Sequence, residues 1–229
     1  MPRYFLEFVN LQNTKDNESQ PSSILVTIKL FSNSLPNLTS QIAELFFNES
    51  KDKVSYKKSQ VTRVISPEYI IQFGKPVRRN KDKLNLKLIC DSIDEKFNKH
   101  IIGRQGLLCL AEKPRDSEVS IELFICFVPW GKYPELDGFI VIGECKEWKE
   151  LRDWSSKIKV KSSFNENIQS FEIPSGDGVW INRCGRLLEN LNDGKDSDSF
   201  KTLEKKRKKT TSPGKVRAID IMFKKTRTK

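Results

Sequence analysis

Apolar side chains along this chain recur mostly with a period of two, in short runs separated by polar and proline-bearing stretches, the mark of half-buried β-strands. Tyr4–Val9 and Ile24–Phe31 read as the first two strands, joined by a polar loop, Asn10–Ser23, longer than a tight hairpin needs. The period then changes. Over Asn37–Phe47 the apolar residues Leu38, Ile42, Leu45 and Phe46 fall at helical spacing, with Pro36 where a first helical turn tolerates it. Val61–Ile65 and Tyr69–Phe73 predict two short strands broken by a Ser66-Pro67 bend. Gly103–Glu112, Glu122–Cys126, Leu136–Gly143 and Trp180–Leu187 supply further strand-like runs. Glu147–Trp154 reads as a short amphipathic helix that turns Trp148, Leu151 and Trp154 to the core, and Leu84–Phe97 stays open between strand and extended loop. The residues by themselves predict a mostly-β domain with two helices.

With 229 residues and 37% hydrophobic content, the chain has material for one sizeable core and a tail. No apolar run approaches the ~20 residues that span a bilayer, and Met1–Tyr4 does not open an apolar leader, so a soluble intracellular protein without membrane association is expected. Cys90, Cys109, Cys126, Cys145 and Cys184 are odd in number and widely spaced, which predicts buried reduced thiols rather than disulfides or zinc. The lone His100 argues against a metal site or a Ser/His/Asp triad, and no cofactor is implied.

Charge divides the chain. Of the net +11, residues 195–229 hold thirteen Lys or Arg against four Asp or Glu, so the body is close to neutral and the basic balance belongs to the tail. From Glu189 onward Asn, Asp, Ser, Gly and Lys dominate, which predicts a disordered tail over 189–229 behind a domain over 1–188. Glu204–Lys209 is a basic cluster of the kind that import receptors read and that also contacts nucleic-acid phosphates, so a nuclear location is expected, with the cytoplasm second. Val216–Phe223 interrupts the tail with an apolar patch suited to docking on a nuclear partner.

Arg63 and Gln72 are the polar exceptions in the apolar strands Val61–Ile65 and Tyr69–Phe73. Alternation alone would leave both in solvent; a concave site where a ligand supplies their partners is the other solution. Here the run Arg63-Val64-Ile65, the bend, and Tyr69-Ile70-Ile71-Gln72-Phe73-Gly74 resembles the cyclophilin signature. Three further stretches resemble the family in the right order: the second strand leading into Leu35-Pro36 and a helix; Gly103–Glu112; and Glu122–Cys126 followed by Leu136-Asp137-Gly138 and Gly143. The resemblance covers roughly residues 3–188.

It implies a closed antiparallel eight-stranded barrel capped by two helices, expected to be a monomer, and cis/trans isomerisation of the peptide bond before proline. In its terms Arg63 and Gln72 are the catalytic pair, and Tyr69, Ile70, Ala111, Phe124, Leu136 and Ile140 cup the substrate. The departures are as informative as the matches. Thr62 stands where the family has histidine, Glu112 where it has asparagine, Glu122 where it has glutamine, Glu135 where it has tryptophan and Ile140 where it has histidine. Carboxylates at 112 and 122 are expected to pair with Arg63 and draw it from the prolyl nitrogen. The leading expectation is therefore a domain that binds proline-containing segments with weak or absent isomerase activity. An active isomerase that assists folding and a non-catalytic scaffold in a nuclear complex stand beside it.

Overall fold

The computed structural model describes residues 2–12, 21–47, 54–65, 69–74, 95–113, 121–165, 168–172 and 178–187, with backbone alone for 161–172. The Ser66-Pro67 bend, Cys90 and the whole tail lie outside the described residues.

Strand β1, Arg3–Asn10, alternates strictly: Tyr4, Leu6, Phe8 and Asn10 are buried while Arg3, Phe5, Glu7 and Val9 are not. That alternation lets the strand pair on both edges and bury one face. It lies antiparallel to β2 (Ser22–Leu30) on one side and to β10 (Val179–Leu187) on the other, with a bulge at Glu7/Phe8. From β2 the sheet runs through β7 (Val141–Cys145), β5 (Leu107–Leu110), β6 (Leu123–Cys126) and β4 (Ile70–Phe73) to β3 (Val61–Ile65). Closure comes from the segment before β3. Gln60 bridges Trp180, Lys58 N–H donates to the Ile181 carbonyl at 2.7 Å, and Ile181 N–H donates to the Ser59 carbonyl at 2.9 Å. Eight strands thus curl into a barrel, which removes the exposed edges that invite aggregation. A hairpin of β8 (Lys161–Asn165) and β9 (Ile168–Glu172) is attached to β3 where Glu172 pairs with Arg63.

Helices close the barrel. Helix α1, Pro36–Phe46, begins at a proline and buries Leu38, Ile42, Leu45 and Phe46. Its Phe46 ring sits 4.9 Å from Tyr4, at one end of β1, and 5.3 Å from Tyr56. Helix α3, Trp148–Ser155, buries Leu151 and Trp154, and Trp154 lies 6.0 Å from Phe8, toward the other end of β1. Glu147, at the start of α3, locks it to β2, since its carboxylate accepts from Thr27 N–H at 2.6 Å and from the Thr27 hydroxyl at 3.2 Å. Between them lies a core that includes Leu6, Val26, Ile28, Ile71, Phe73, Leu123, Ile125 and Ile142, each removed from water and worth about 1.5–3 kcal/mol. Helix α2, Glu95–Ile101, overlaps the stretch left open between strand and loop. Among the described residues no helix is long and apolar enough to cross a membrane.

Candidate functional site

The wall formed by β3, β4, β6, β5 and β7 is apolar on both faces. One face fills the barrel; the other carries a second cluster of Ile70, Ile101, Leu107, Cys109, Phe124, Cys126, Leu136 and Val141. Period-two alternation sorts the side chains: Ile71 and Phe73 turn inward, while Ile70 and the half-buried Gln72 turn outward.

Register then fixes the site. Arg63 pairs with Gln72, Gln72 with Phe124, Phe124 with Cys109 and Cys109 with Val141. These residues form one rung across five strands, and at about 4.8 Å per strand Arg63 and Phe124 stand roughly 10 Å apart with their side chains on one side. A bulge at Thr62, between the Val61–Phe73 and Arg63–Gln72 pairs, adds a residue to β3 directly before Arg63. Bulges of this kind re-aim side chains. Here the Thr62 hydroxyl donates to Glu122 Oε1 at 2.6 Å.

That hydrogen bond changes the electrostatics expected from sequence. Glu122 was to capture Arg63; instead its carboxylate is engaged by Thr62, Glu112 is exposed, and among the described residues Arg63 forms no ion pair. Arg63, half-buried, stands on the outer side of the wall beside Gln72.

Around the rung stand aromatic rings. Phe139 meets Phe124 edge-on at 5.2 Å, and Tyr133 meets Tyr69 at 5.0 Å. Leu136 is buried in a single turn of 3-10 helix, Pro134–Leu136, beside the exposed Glu135. Partial burial, and then the Glu135 charge, push the Tyr69 phenol up to about 12, so it is a neutral donor at physiological pH. Cys109 and Cys126 sit under the rings, and burial raises both thiols, Cys126 to about 11, so neither is a nucleophile. Among the described residues no group of His, Cys, Asp and Glu is arranged to hold a metal.

The structure therefore brings Arg63, Gln72, Tyr69, Ile70, Ala111, Phe124 and Leu136 to one face. Ile140 does not join them. Its side chain belongs to the barrel interior, and its neighbours Phe139 and Val141 face the outer cluster. Phe139 and Tyr133 are the lining residues that sequence reasoning missed. The signal for Phe139 was its parity with Val141, hidden because Phe139–Ile142 is apolar at every position.

No protein-family model matches the chain, and no curated protein matches it. The crystal structure of the Mimivirus cyclophilin does match in shape, with a TM-score of 0.53, 18% sequence identity, and coverage of 85% of this chain and 93% of that chain. At such identity the likeness speaks for architecture. The architecture of this chain is that of a divergent cyclophilin-like β-barrel.

Proposed function

We propose that the face built on β3, β4 and β6 binds proline-containing segments of partner proteins and that Arg63 gives it a slow prolyl cis/trans isomerase activity. The observation that supports this reading is the rung Arg63–Gln72–Phe124, in which a cation, an amide and an apolar ring leave neighbouring strands on one side. The barrier to isomerisation, ~18–20 kcal/mol, comes from amide resonance. As the bond twists, the prolyl nitrogen recovers its lone pair and becomes a hydrogen-bond acceptor. A guanidinium beside it gains a bond that exists only in the twisted state, which lowers the barrier without tightening the ground state. In this reading the Gln72 amide holds a substrate carbonyl, and Phe124 with Ile70 and Leu136 receives the proline ring.

The activity is placed at slow because Glu135 stands where an aromatic wall would otherwise exclude water from the twisting bond. A nuclear location belongs to the same proposal, resting on the basic cluster Glu204–Lys209. Exchange NMR on a short Ala-Pro peptide tests the function. The expected result is acceleration of the cis/trans exchange together with saturable shifts at Arg63, Gln72 and Phe124. Absence of both at millimolar peptide would overturn the proposal.

A further inference from the structure

Among the described residues Ile102 is the large apolar side chain that the fold leaves in water. It is 62% exposed, although its neighbour Ile101 is buried in the outer cluster. A single exposed apolar residue is ordinary, so its surroundings decide what it means. Two backbone bonds fix those surroundings: Gly103 N–H donates to the Trp130 carbonyl at 2.9 Å, and Trp130 N–H donates to the Arg104 carbonyl at 2.9 Å. They clamp the turn after α2 to the loop after β6. Two side-chain carbons of Ile102 then lie over the Gly131 backbone, 3.7 and 3.8 Å from where a Cβ would stand. Two residues further along that loop, the Tyr133 ring meets Tyr69 beside the rung. Trp130, Tyr133 and Tyr69 are half-buried and pack on the same outer cluster that holds Phe124 and Leu136. Lys132, the charge between Gly131 and Tyr133, is exposed, with its ammonium 5.5 Å from the Tyr133 ring centre. One apolar band thus leads from the rings around the rung to Ile102.

We infer that the binding face continues along this band and takes client segments that carry a second large aliphatic side chain about three residues from the proline. The inference rests on the reading of the rung as a proline-binding face. The spacing follows from reach: at about 3.3 Å per residue of extended chain, a peptide seated at Tyr69 passes the ring pair and the two-residue step to Gly131 in about three residues. A leucine arriving there covers Ile102, and both leave water together. A polar side chain in the same place would lose its hydration against carbon without gaining a partner. The clamped turns add to the gain, because a base that is already ordered costs little further entropy on binding. A client segment fits the band better than a second copy of this chain. One exposed side chain and three half-buried rings fall well short of the roughly 800 Å² per partner that a stable protein pair buries.

The experiment is a residue-resolved NMR titration of the full chain with peptides built on Ala-Pro. One carries leucine three residues before the proline, one carries it three residues after, each has a serine twin, and a short Ala-Pro peptide reaches no further than the rung. The expected result is that leucine at one of the two positions tightens binding about five- to twentyfold over its serine twin, with shifts at Gly103, Gly131 and the Trp130 indole that the short peptide does not cause. Ile102→Ser, a change to an exposed side chain, should erase that preference. Binding of the short peptide without any leucine preference, or a preference that survives Ile102→Ser, overturns the inference and leaves the proline-binding reading standing. Failure of every peptide to bind removes both. Concentration-dependent self-association of the chain that Ile102→Ser abolishes, with no leucine preference, assigns the band to a second copy and overturns the inference as well.

Discussion

Arg63 and Gln72 are direct partners across the β3–β4 pair, so the guanidinium and the side-chain amide leave the barrel wall on the same side. A one-residue slip of either strand would send one of them into the core. The bulge at Thr62 absorbs the odd residue between the Val61–Phe73 pair and this one, and so preserves both the inward Phe73 and the outward Arg63.

Arg63→Ala should therefore separate chemistry from folding. Among the described residues the guanidinium has no ion-pair partner, so its removal orphans no buried charge and the thermal midpoint should stay near that of wild type. Isomerisation should fall about a hundredfold, the usual consequence of losing one preorganised donor to a developing acceptor. Arg63→Lys should recover little, because an ammonium lacks the rigid fork. Exchange NMR gives the rate and circular dichroism the midpoint.

Gly106 carries a different kind of constraint. It holds φ at +72°, its N–H donates to the Cys126 carbonyl at 2.8 Å, and its own carbonyl accepts from Cys145 N–H at 2.7 Å, tying three strands at the entrance to β5. A Cβ added there would lie 2.5 Å from two ring carbons of Trp148. Gly106→Ala should cost about 2–4 kcal/mol, read as a lower urea midpoint. The loss should shrink only in part in a Trp148→Ala background, where the ring contacts are gone but the 2.8 Å approach to the residue-148 Cβ and the backbone strain remain.

Much of this arrangement was legible because its cues are local. Strand alternation, the proline at the start of α1 and the polar exceptions at Arg63 and Gln72 all sit within a few residues of the feature they specify. What failed was non-local. Ile140 was read as a lining residue, but a run apolar at every position gives no parity, since both faces of β7 are covered, one by the core and one by the outer cluster. The capture of Arg63 by Glu122 looked plausible from charge alone. The competing Thr62 hydroxyl reaches Glu122 only because β3 and β6 flank β4, a neighbourhood set by topology and not by spacing along the chain.

The buried thiols predict an alkaline weakness. Burial raises Cys109 and Cys145, and it lifts Cys126 from 9.0 to about 11. For each, the folded state keeps a proton that the unfolded chain gives up. The stability this represents is whole below pH 9.0 and is lost as pH climbs through about 11. Urea midpoints should accordingly fall over that window. Cys126→Ser keeps a donor near the Val128 carbonyl, 3.4 Å from the native sulfur, but does not titrate there, so its decline should be shallower. An identical slope in the variant would remove Cys126 from the account.

Thr62→Val tests whether the hydroxyl keeps the site open. Valine preserves the β-branched shape in the bulge but withdraws the donor that now holds Glu122 Oε1 at 2.6 Å. The carboxylate then has one partner fewer and Arg63 on its own side of the sheet, and an Arg63–Glu122 pair would compete with the prolyl nitrogen for the guanidinium. At about 1–1.5 kcal/mol for such a competition, isomerisation should drop roughly five- to tenfold. The double variant Thr62→Val/Glu122→Gln should win most of that back, since a neutral amide pulls less on the guanidinium than a carboxylate. Loss in the single variant with recovery in the double identifies charge capture as the cause. Equal losses in both would mean that Thr62 acts only through the shape of the bulge.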